Sequence, residues 1–300
     1  QRQMCIRDRS NTHHIQVVLT EDKNLKEALS DIDVSTIKRL IIKGYFNCDS
    51  IKYLHKKMSA TLVELDISDA NIINDTNPDC IYEYEGEEWI YIFGSSDFKK
   101  LEKITLGPSI TTYEVTCFNT ALREYPETYS LFDADSLRHI EIHNDNPNFR
   151  SVDGVLFSKD GTLIKYPPQK TGKIYSIPQF VKTVREEAFR NCTVLQHIEL
   201  PHSITTIGRG TFMGCSSLVS ITIPNGVIEI PEETFISSSK LATIFLSGNV
   251  TDFPNNAIDG CSNLGALLFS HGEKYTEIIA LLDNGKNLKT SFERYRCIDY

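Results

Sequence analysis

A chain of 300 residues is long enough for one large domain or two smaller ones. Lysine and arginine number 31 against 40 aspartates and glutamates, a net charge of −9 with no basic block, which argues against nucleic acid or an anionic membrane as partner. No apolar run approaches the roughly 18 residues that span a bilayer, so no transmembrane segment is expected.

Residues 1–10 begin without methionine, carry three arginines and have no apolar core of the signal-peptide kind. Gln1–Asp8 resembles a translated adapter sequence, so residues 1–10 are read as a non-native leader on a truncated chain whose secretion signal is missing. Residues 11–36 read as an N-terminal cap, with an amphipathic helix over Glu21–Ser30 that puts Leu25, Ala28 and Leu29 on one side.

Residues 37–273 are governed by a repeat. Its opening, L-x-x-I-x-L/I, occurs first at Leu62-Val63-Glu64-Leu65-Asp66-Ile67, then at Leu101–Leu106 and Leu137–Ile142. These openings lie 39, 36 and 35 residues apart, counting on to position 172, so each coil carries an insertion of 12 to 16 residues. One insertion is expected to pair Ile81–Glu85 with Trp89–Phe93 across Gly86. Tyr82, Tyr84, Trp89 and Tyr91 form a candidate aromatic strip there, able to stack on sugar rings or anchor a protein partner. The simpler reading packs these rings on the fold. After Leu101, Ile110, Tyr113 and Phe118 keep the repeat's offsets. Val155–Tyr166 reads as a hairpin with Asp160-Gly161 as its tight turn.

Further on the period tightens. Leu195, Leu218, Leu241 and Leu264 are 23 residues apart each time. Ile198/Ile221/Ile244, Leu200/Ile223/Leu246, Ile204/Val227/Val250, Ile207/Ile230/Phe253 and Phe212/Phe235/Ile258 repeat with them, and Tyr175, Ile177, Val181, Val184 and Phe189 fill the columns one coil earlier. A fixed period in the twenties is the signature of stacked solenoid coils, each too small to bury its own apolar edge. Alternation within the opening makes it a strand. Pro178, Pro201 and Pro224 end that strand, because proline has no N–H to donate to a further ladder bond. Residues 274–300 read as a C-terminal cap, with a helix over Lys274–Asp283 that buries Ile278, Ile279, Leu281 and Leu282 and stops at Asn284-Gly285.

Little in this pattern points to catalysis or metal. Cys192, Cys215 and Cys261 share one column and read as small buried apolar side chains; stacked parallel Cβ directions do not favour a disulfide between the first two. The eight cysteines show no C-x-x-C spacing, so no zinc site is expected. His139, Glu141 and His143 share a strand face, and His197 and Glu199 repeat the first two, but a solvated face is the simpler account than a divalent metal site. Asn144, Asn146 and Asn148 lack the glycine and glutamate of a calcium loop and read as an Asn-Pro turn. No serine-histidine-aspartate set, phosphate loop or H-E-x-x-H helix is present, so neither an enzyme nor a cofactor is expected.

Asn146-Pro147-Asn148-Phe149-Arg150-Ser151-Val152-Asp153-Gly154-Val155-Leu156-Phe157-Ser158 resembles the N-P-N-x-x-S-x-D-G-V-L-F-S signature of BspA-like leucine-rich repeat proteins. The coils of form I-P-x-x-V-x-x-I-x-x-x-x-F-x-x-C, and the opening segment Leu40–Gly44, Asp49–Leu54 and Leu62–Ala70, are similar to the same family, over about residues 16 to 270. Ser247 and Ser238 depart from it, standing where proline and cysteine are expected, and the coil from Leu264 has lost most of the signature. The resemblance implies a leucine-rich repeat solenoid, α/β by convention but mostly β, with stacked parallel strands, short turns on the convex side and helical caps. It also implies a bacterial surface or secreted protein, of Bacteroidetes type, similar to adhesins that hold extracellular-matrix or other cell-surface proteins, with no catalytic residues to carry over.

The recognition surface expected from the geometry is the outward side of the strands. Its candidates are Lys103, Thr105, His139, Glu141, Ile174, Ser176, His197, Glu199, Ser220, Thr222, Thr243 and Phe245, expected to stack as one extended sheet. A protein partner is favoured and a glycan is possible. The other functional readings are a spacer module of a larger surface protein and a carbohydrate-binding accessory module.

Overall fold

The computed structural model describes residues 6–7, 13–72, 81–84, 87–90, 98–110, 114–117, 127–130, 134–247, 249–271 and 274–276. The chain forms two compact units, Gln1–Leu156 and Phe157–Tyr300. Both are built from stacked coils.

In the first unit six strands lie in the order Ile6–Arg7, His14–Leu19, Arg39–Phe46, Glu64–Ile72, Lys103–Leu106 and His139–Ile142. All neighbours are parallel except the first pair, in which Ile6 lies opposite Gln16 and Arg7 opposite Ile15. Alternate residues point inward and are buried: Ile15, Val17 and Leu19, then Leu40 and Ile42, Leu65 and Ile67, Ile104 and Leu106, Ile140 and Ile142. The parallel ladder begins at His14, inside the segment read from sequence as a cap, so the repeat reaches further toward the N-terminus than position 37. The helix of that segment is shorter than expected, Leu25–Ala28. Asn24 caps it by accepting from Glu27 N, and Glu27 reaches back to Asn24 N.

A second helix, Cys48–Met58, links the strands Arg39–Phe46 and Glu64–Ile72. Asn47 caps it, accepting from Ser50 N at 3.1 Å, while Ile51, Leu54 and Met58 form its fully buried stripe. Ser50 itself is buried, and its hydroxyl accepts Leu25 N at 2.9 Å, so the first turn of one helix holds the start of the other. The register of the next strand slips by one residue between Ile41 and Lys43. Gly44 (φ 78°) sits beside this slip, where a Cβ would meet the Leu19 carbonyl oxygen at 2.4 Å.

Two inserted hairpins are described by their backbones. Ile81–Tyr84 pairs antiparallel with Glu87–Ile90, and Glu114–Cys117 with Glu127–Ser130. Tyr113 and Phe118 lie outside the described residues.

The asparagine of the N-P-N segment is a scaffold. Asn146 is fully buried; its amide donates to the carbonyls of Gly107 (2.9 Å) and Ile110 (2.8 Å), and its oxygen accepts Asn148 N (3.0 Å) and Phe149 N (2.8 Å). Ser151 accepts Ile142 N at 3.1 Å, and Asp153-Gly154, at φ 50° and 74°, make the two-residue turn between the strands Phe149–Val152 and Val155–Ser158. The boundary between the two units falls inside the latter strand.

In the second unit one ladder runs Ile174–Ser176, His197–Glu199, Ser220–Thr222, Thr243–Ser247 and Ala266–His271, all parallel, and ends with Lys274–Thr276 antiparallel. A helix was expected to start at Lys274. Instead these residues take the open edge of the last parallel strand, whose N–H and C=O groups would otherwise be unpaired; residues 277–300 lie outside the described residues. A second ladder carries Thr162–Lys165, Thr183–Val184 and Thr206–Ile207, continued by a bridge between Glu229 and Asp252.

The spine between the ladders is the 23-residue column. Leu195, Leu218 and Leu241 have no exposed surface and Leu264 has 6%. Beside it Tyr166, Phe189, Phe212 and Phe235 stack at centroid separations of 5.2, 5.5 and 5.5 Å. The strands before Pro178, Pro201 and Pro224 stop after three residues. Where Ser247 replaces the proline the strand continues through it, and Ser247 pairs with Ser270. Its hydroxyl is buried and finds no hydrogen-bond partner among the described residues. Losing the proline thus lengthens the last parallel strands at the expense of one unsatisfied polar group.

Candidate functional site

The outward rows of each ladder are set by register. In the first unit Lys103 lies beside His139 and Thr105 beside Glu141, and the same rows extend back through Glu64 and Asp66 to Arg39 and Ile41. Charges alternate along the first row, with Arg39 and Glu64 at 3.2 Å; one step along, Lys43 and Asp69 meet at 2.6 Å. That contact raises the Lys43 pKa and lowers that of Asp69. His139 Nε2 and Glu141 Oε2 are 2.7 Å apart, so the imidazole and carboxylate considered for a metal are bonded to each other. His143 does not join them: its Nδ1 accepts Asp145 N at 3.3 Å. Among the described residues no group of three or more His, Cys, Asp or Glu is arranged to hold a metal ion.

In the second unit Ile174, His197, Ser220, Thr243 and Ala266 form one row. In the neighbouring row Ser176 pairs with Glu199, Thr222 lies beside Phe245, and Phe245 beside Leu268. Ile174, Ser176, His197, Glu199 and Thr222 are exposed, Ile174 by 62%. Ser220, Thr243, Phe245, Ala266 and Leu268 are half-buried. The face therefore grades from exposed at its first two strands, which carry its charged member Glu199, to half-buried and uncharged at its last two. Ser176 donates to Glu199 at 2.5 Å, fixing that carboxylate in the face.

The twelve face residues expected as one sheet occupy two separately hydrogen-bonded ladders. Lys103, Thr105, His139 and Glu141 belong to the first unit, the other eight to the second. The inserted segment between Ile142 and Ile174 forms strands of its own and feeds the second ladder, so the strand at His139 and the strand at Ile174 end different sheets. The rows also contain positions the sequence reading missed: Ala266 and Leu268 continue them past Phe245. Their signal is the column alignment itself, obscured because the coil from Leu264 lacks proline. In the aromatic hairpin Tyr82 lies opposite Trp89 and Tyr84 opposite Glu87; Tyr91 lies outside the described residues.

Behind the face, the cysteine column has a defined task. The Sγ atoms of Cys192, Cys215 and Cys261 reach the carbonyls of Tyr166 (3.8 Å), Phe189 (3.1 Å) and Phe235 (3.0 Å), each 26 residues back. Burial pushes the Cys192 thiol well up and Cys261 up to about 12, so both are neutral hydrogen-bond donors. The three are free thiols.

Parallel strands stacked at a 23-residue period, a leucine spine and an aromatic ladder define a leucine-rich repeat solenoid. Over residues 170–279 its repeats match the BspA type leucine rich repeat region, in six copies. The chain is similar to a leucine-rich repeat protein from Eubacterium ventriosum at 19% identity and a TM-score of 0.50, over 87% of this chain and 75% of the other. It is similar too to the pneumococcal vaccine antigen PcpA at 24% identity and a TM-score of 0.50, over 79% of this chain but 46% of that one. At these identities the likeness is one of fold. No curated protein sequence matches the chain.

Proposed function

We propose that this is a non-catalytic protein of the bacterial cell surface or its surroundings that works by binding another protein through the outward rows of its strands. The observation that supports this reading most is the second unit's face, where eight side chains of varied chemistry stand in rows on the outward side of parallel strands. Strand positions facing away from the core can change identity without disturbing the spine, so such a surface adapts to a partner while the fold persists. Its half-buried apolar end around Phe245 and Leu268 supplies an anchor, and the exposed His197 and Glu199 supply a polar rim. A host extracellular-matrix protein is the partner class we favour. No helix among the described residues is long and apolar enough to cross a membrane.

The test is binding of the purified chain to a panel of immobilised matrix proteins, alongside a His197→Ala, Glu199→Ala, Phe245→Ala triple variant. Retention of wild type and loss of the variant, with unchanged melting, supports the reading. Equal retention of both moves the binding surface elsewhere. The pairing of Tyr82 with Trp89 favours a second reading, a glycan-binding insertion. A glycan array on which Trp89→Ala matches wild type ends that one.

A further inference from the structure

The second ladder of the second unit also has an outer side, and it changes character at one coil. Lys182, Thr205, Ile228 and Thr251 hold equivalent exposed positions, with Thr205 N on the Lys182 carbonyl (2.9 Å) and Thr251 N on the Ile228 carbonyl (2.8 Å). One residue on, the row reads Thr183, Thr206, Glu229 and Asp252. The earlier coils thus carry threonines and a lysine, which suit a solvated strand. At Ile228 the row turns apolar, 59% exposed, and beside it two carboxylates occupy directly bridged positions. Both changes work against the isolated fold: an exposed isoleucine gains nothing from burial, and like charges opposite each other in a ladder repel. Two unfavourable choices side by side, where threonine serves in the neighbouring coils, are the mark of a surface shaped for contact.

From this coil onward the charge along the sequence is one-sided. Residues 225–270 contain Glu229, Glu232, Glu233, Asp252 and Asp259 and a single cation, Lys240. Of these acids Glu233 is held by Arg209 at 2.7 Å, while Glu229, Glu232, Asp252 and Asp259 are exposed. We propose that this face docks a lysine- or arginine-rich polypeptide segment of a partner, whose aliphatic side chain packs on Ile228 while its cations sit between Glu229 and Asp252. Complementary charge selects that occupant. A second copy of this chain would bring the same acids against themselves, and an anionic lipid surface would be repelled. This surface is distinct from the strand face proposed above, on the other ladder.

The test is fluorescence anisotropy on the full chain with a labelled synthetic peptide of alternating lysine and leucine, and its glutamate–leucine counterpart as control. The wild type binds the cationic peptide, more weakly as salt rises, and does not bind the anionic one. Ile228→Thr and the pair Glu229→Thr with Asp252→Thr, which restore the residues of neighbouring coils, each raise Kd about tenfold or more. The His197→Ala, Glu199→Ala, Phe245→Ala variant keeps full affinity, so this surface and the strand face fail or stand separately. Equal affinity in wild type and the threonine variants overturns the proposal, as does equal binding of the two peptides. Thermal unfolding supplies a second check: the threonine variants melt at or above the wild-type temperature, and melting below it would assign Ile228 and the carboxylates to stability instead.

Discussion

Ser238 donates its hydroxyl to the Phe212 carbonyl at 2.8 Å, the bond that thiols make from Cys215 to Phe189 and from Cys261 to Phe235 in the coils on either side. The serine that breaks the cysteine column thus preserves its function. Ser238 has no exposed surface, so without its hydroxyl the Phe212 carbonyl would keep only the longer bond from Cys215 N, at 3.3 Å. Ser238→Ala should lower unfolding free energy by about 1–3 kcal/mol in urea titration, whereas Ser238→Cys should cost well under that.

The inside and outside of a strand should separate sharply under mutation. Leu218 and Ile221 are buried, and truncating either to alanine should cost about 2–5 kcal/mol. Thr222 is exposed on the same strand, and Thr222→Ala should stay within about 0.5 kcal/mol of wild type. Equal melting losses at Ile221 and Thr222 would contradict the alternation.

Asn146 closes four hydrogen bonds inside the first unit and bridges segments up to 39 residues apart. Asn146→Ala removes all four of these bonds from a fully buried position, at a cost of at least about 3 kcal/mol. Asn146→Asp keeps the acceptor but loses both donations and buries a carboxylate against carbonyl oxygens, so it should be no milder. Chemical denaturation of the two variants checks both statements.

Alkali should unfold the second unit through its cysteines. The folded Cys261 thiol holds its proton up to about 12, whereas in the unfolded chain it ionises in the ordinary thiol range. Above that range the unfolded state binds fewer protons than the folded one, so stability falls as pH rises. Below the ordinary thiol range the contribution is fully present. It is lost progressively until the pH reaches about 12, where the folded thiol ionises too. Denaturant midpoints measured at rising alkaline pH should fall, and replacing Cys192 and Cys261 by serine should flatten the slope. Native-state alkylation mapped by mass spectrometry should leave both residues unmodified at neutral pH.

A turn column offers a gain. Asn191, Gly214, Ser237 and Gly260 all take left-handed backbone, with φ of 58°, 69°, 61° and 75°. Ser237 is the member least suited to it, because its Cβ crowds the backbone where glycine has none. Ser237→Gly should raise stability by about 1 kcal/mol, read as a higher thermal midpoint.

The repeat made most of the fold legible. A 23-residue period makes side chains of successive coils neighbours, so Leu195, Leu218 and Leu241 had to form a spine whatever the details of the turns. Other features were hidden for identifiable reasons. The helix Cys48–Met58 is signalled by Asn47 as cap and by the spacing of Ile51, Leu54 and Met58, but it falls between strands whose coil length is irregular. The left-handed column holds glycine at only two of its four positions, so glycine content does not reveal it. The strand at Lys274 was masked by an apolar stretch that follows at helical spacing.

From its amino acids alone this chain declares which residues face inward, because a repeat copies one solution to the burial problem from coil to coil. How far that solution runs unbroken is another matter. Ladder continuity depends on whether a strand finds a hydrogen-bonding neighbour, and inserted segments supply competing neighbours. Only the tertiary structure therefore divides the outward rows between two units, gives Ser238 its place among the thiols, and sets an exposed isoleucine beside two stacked carboxylates.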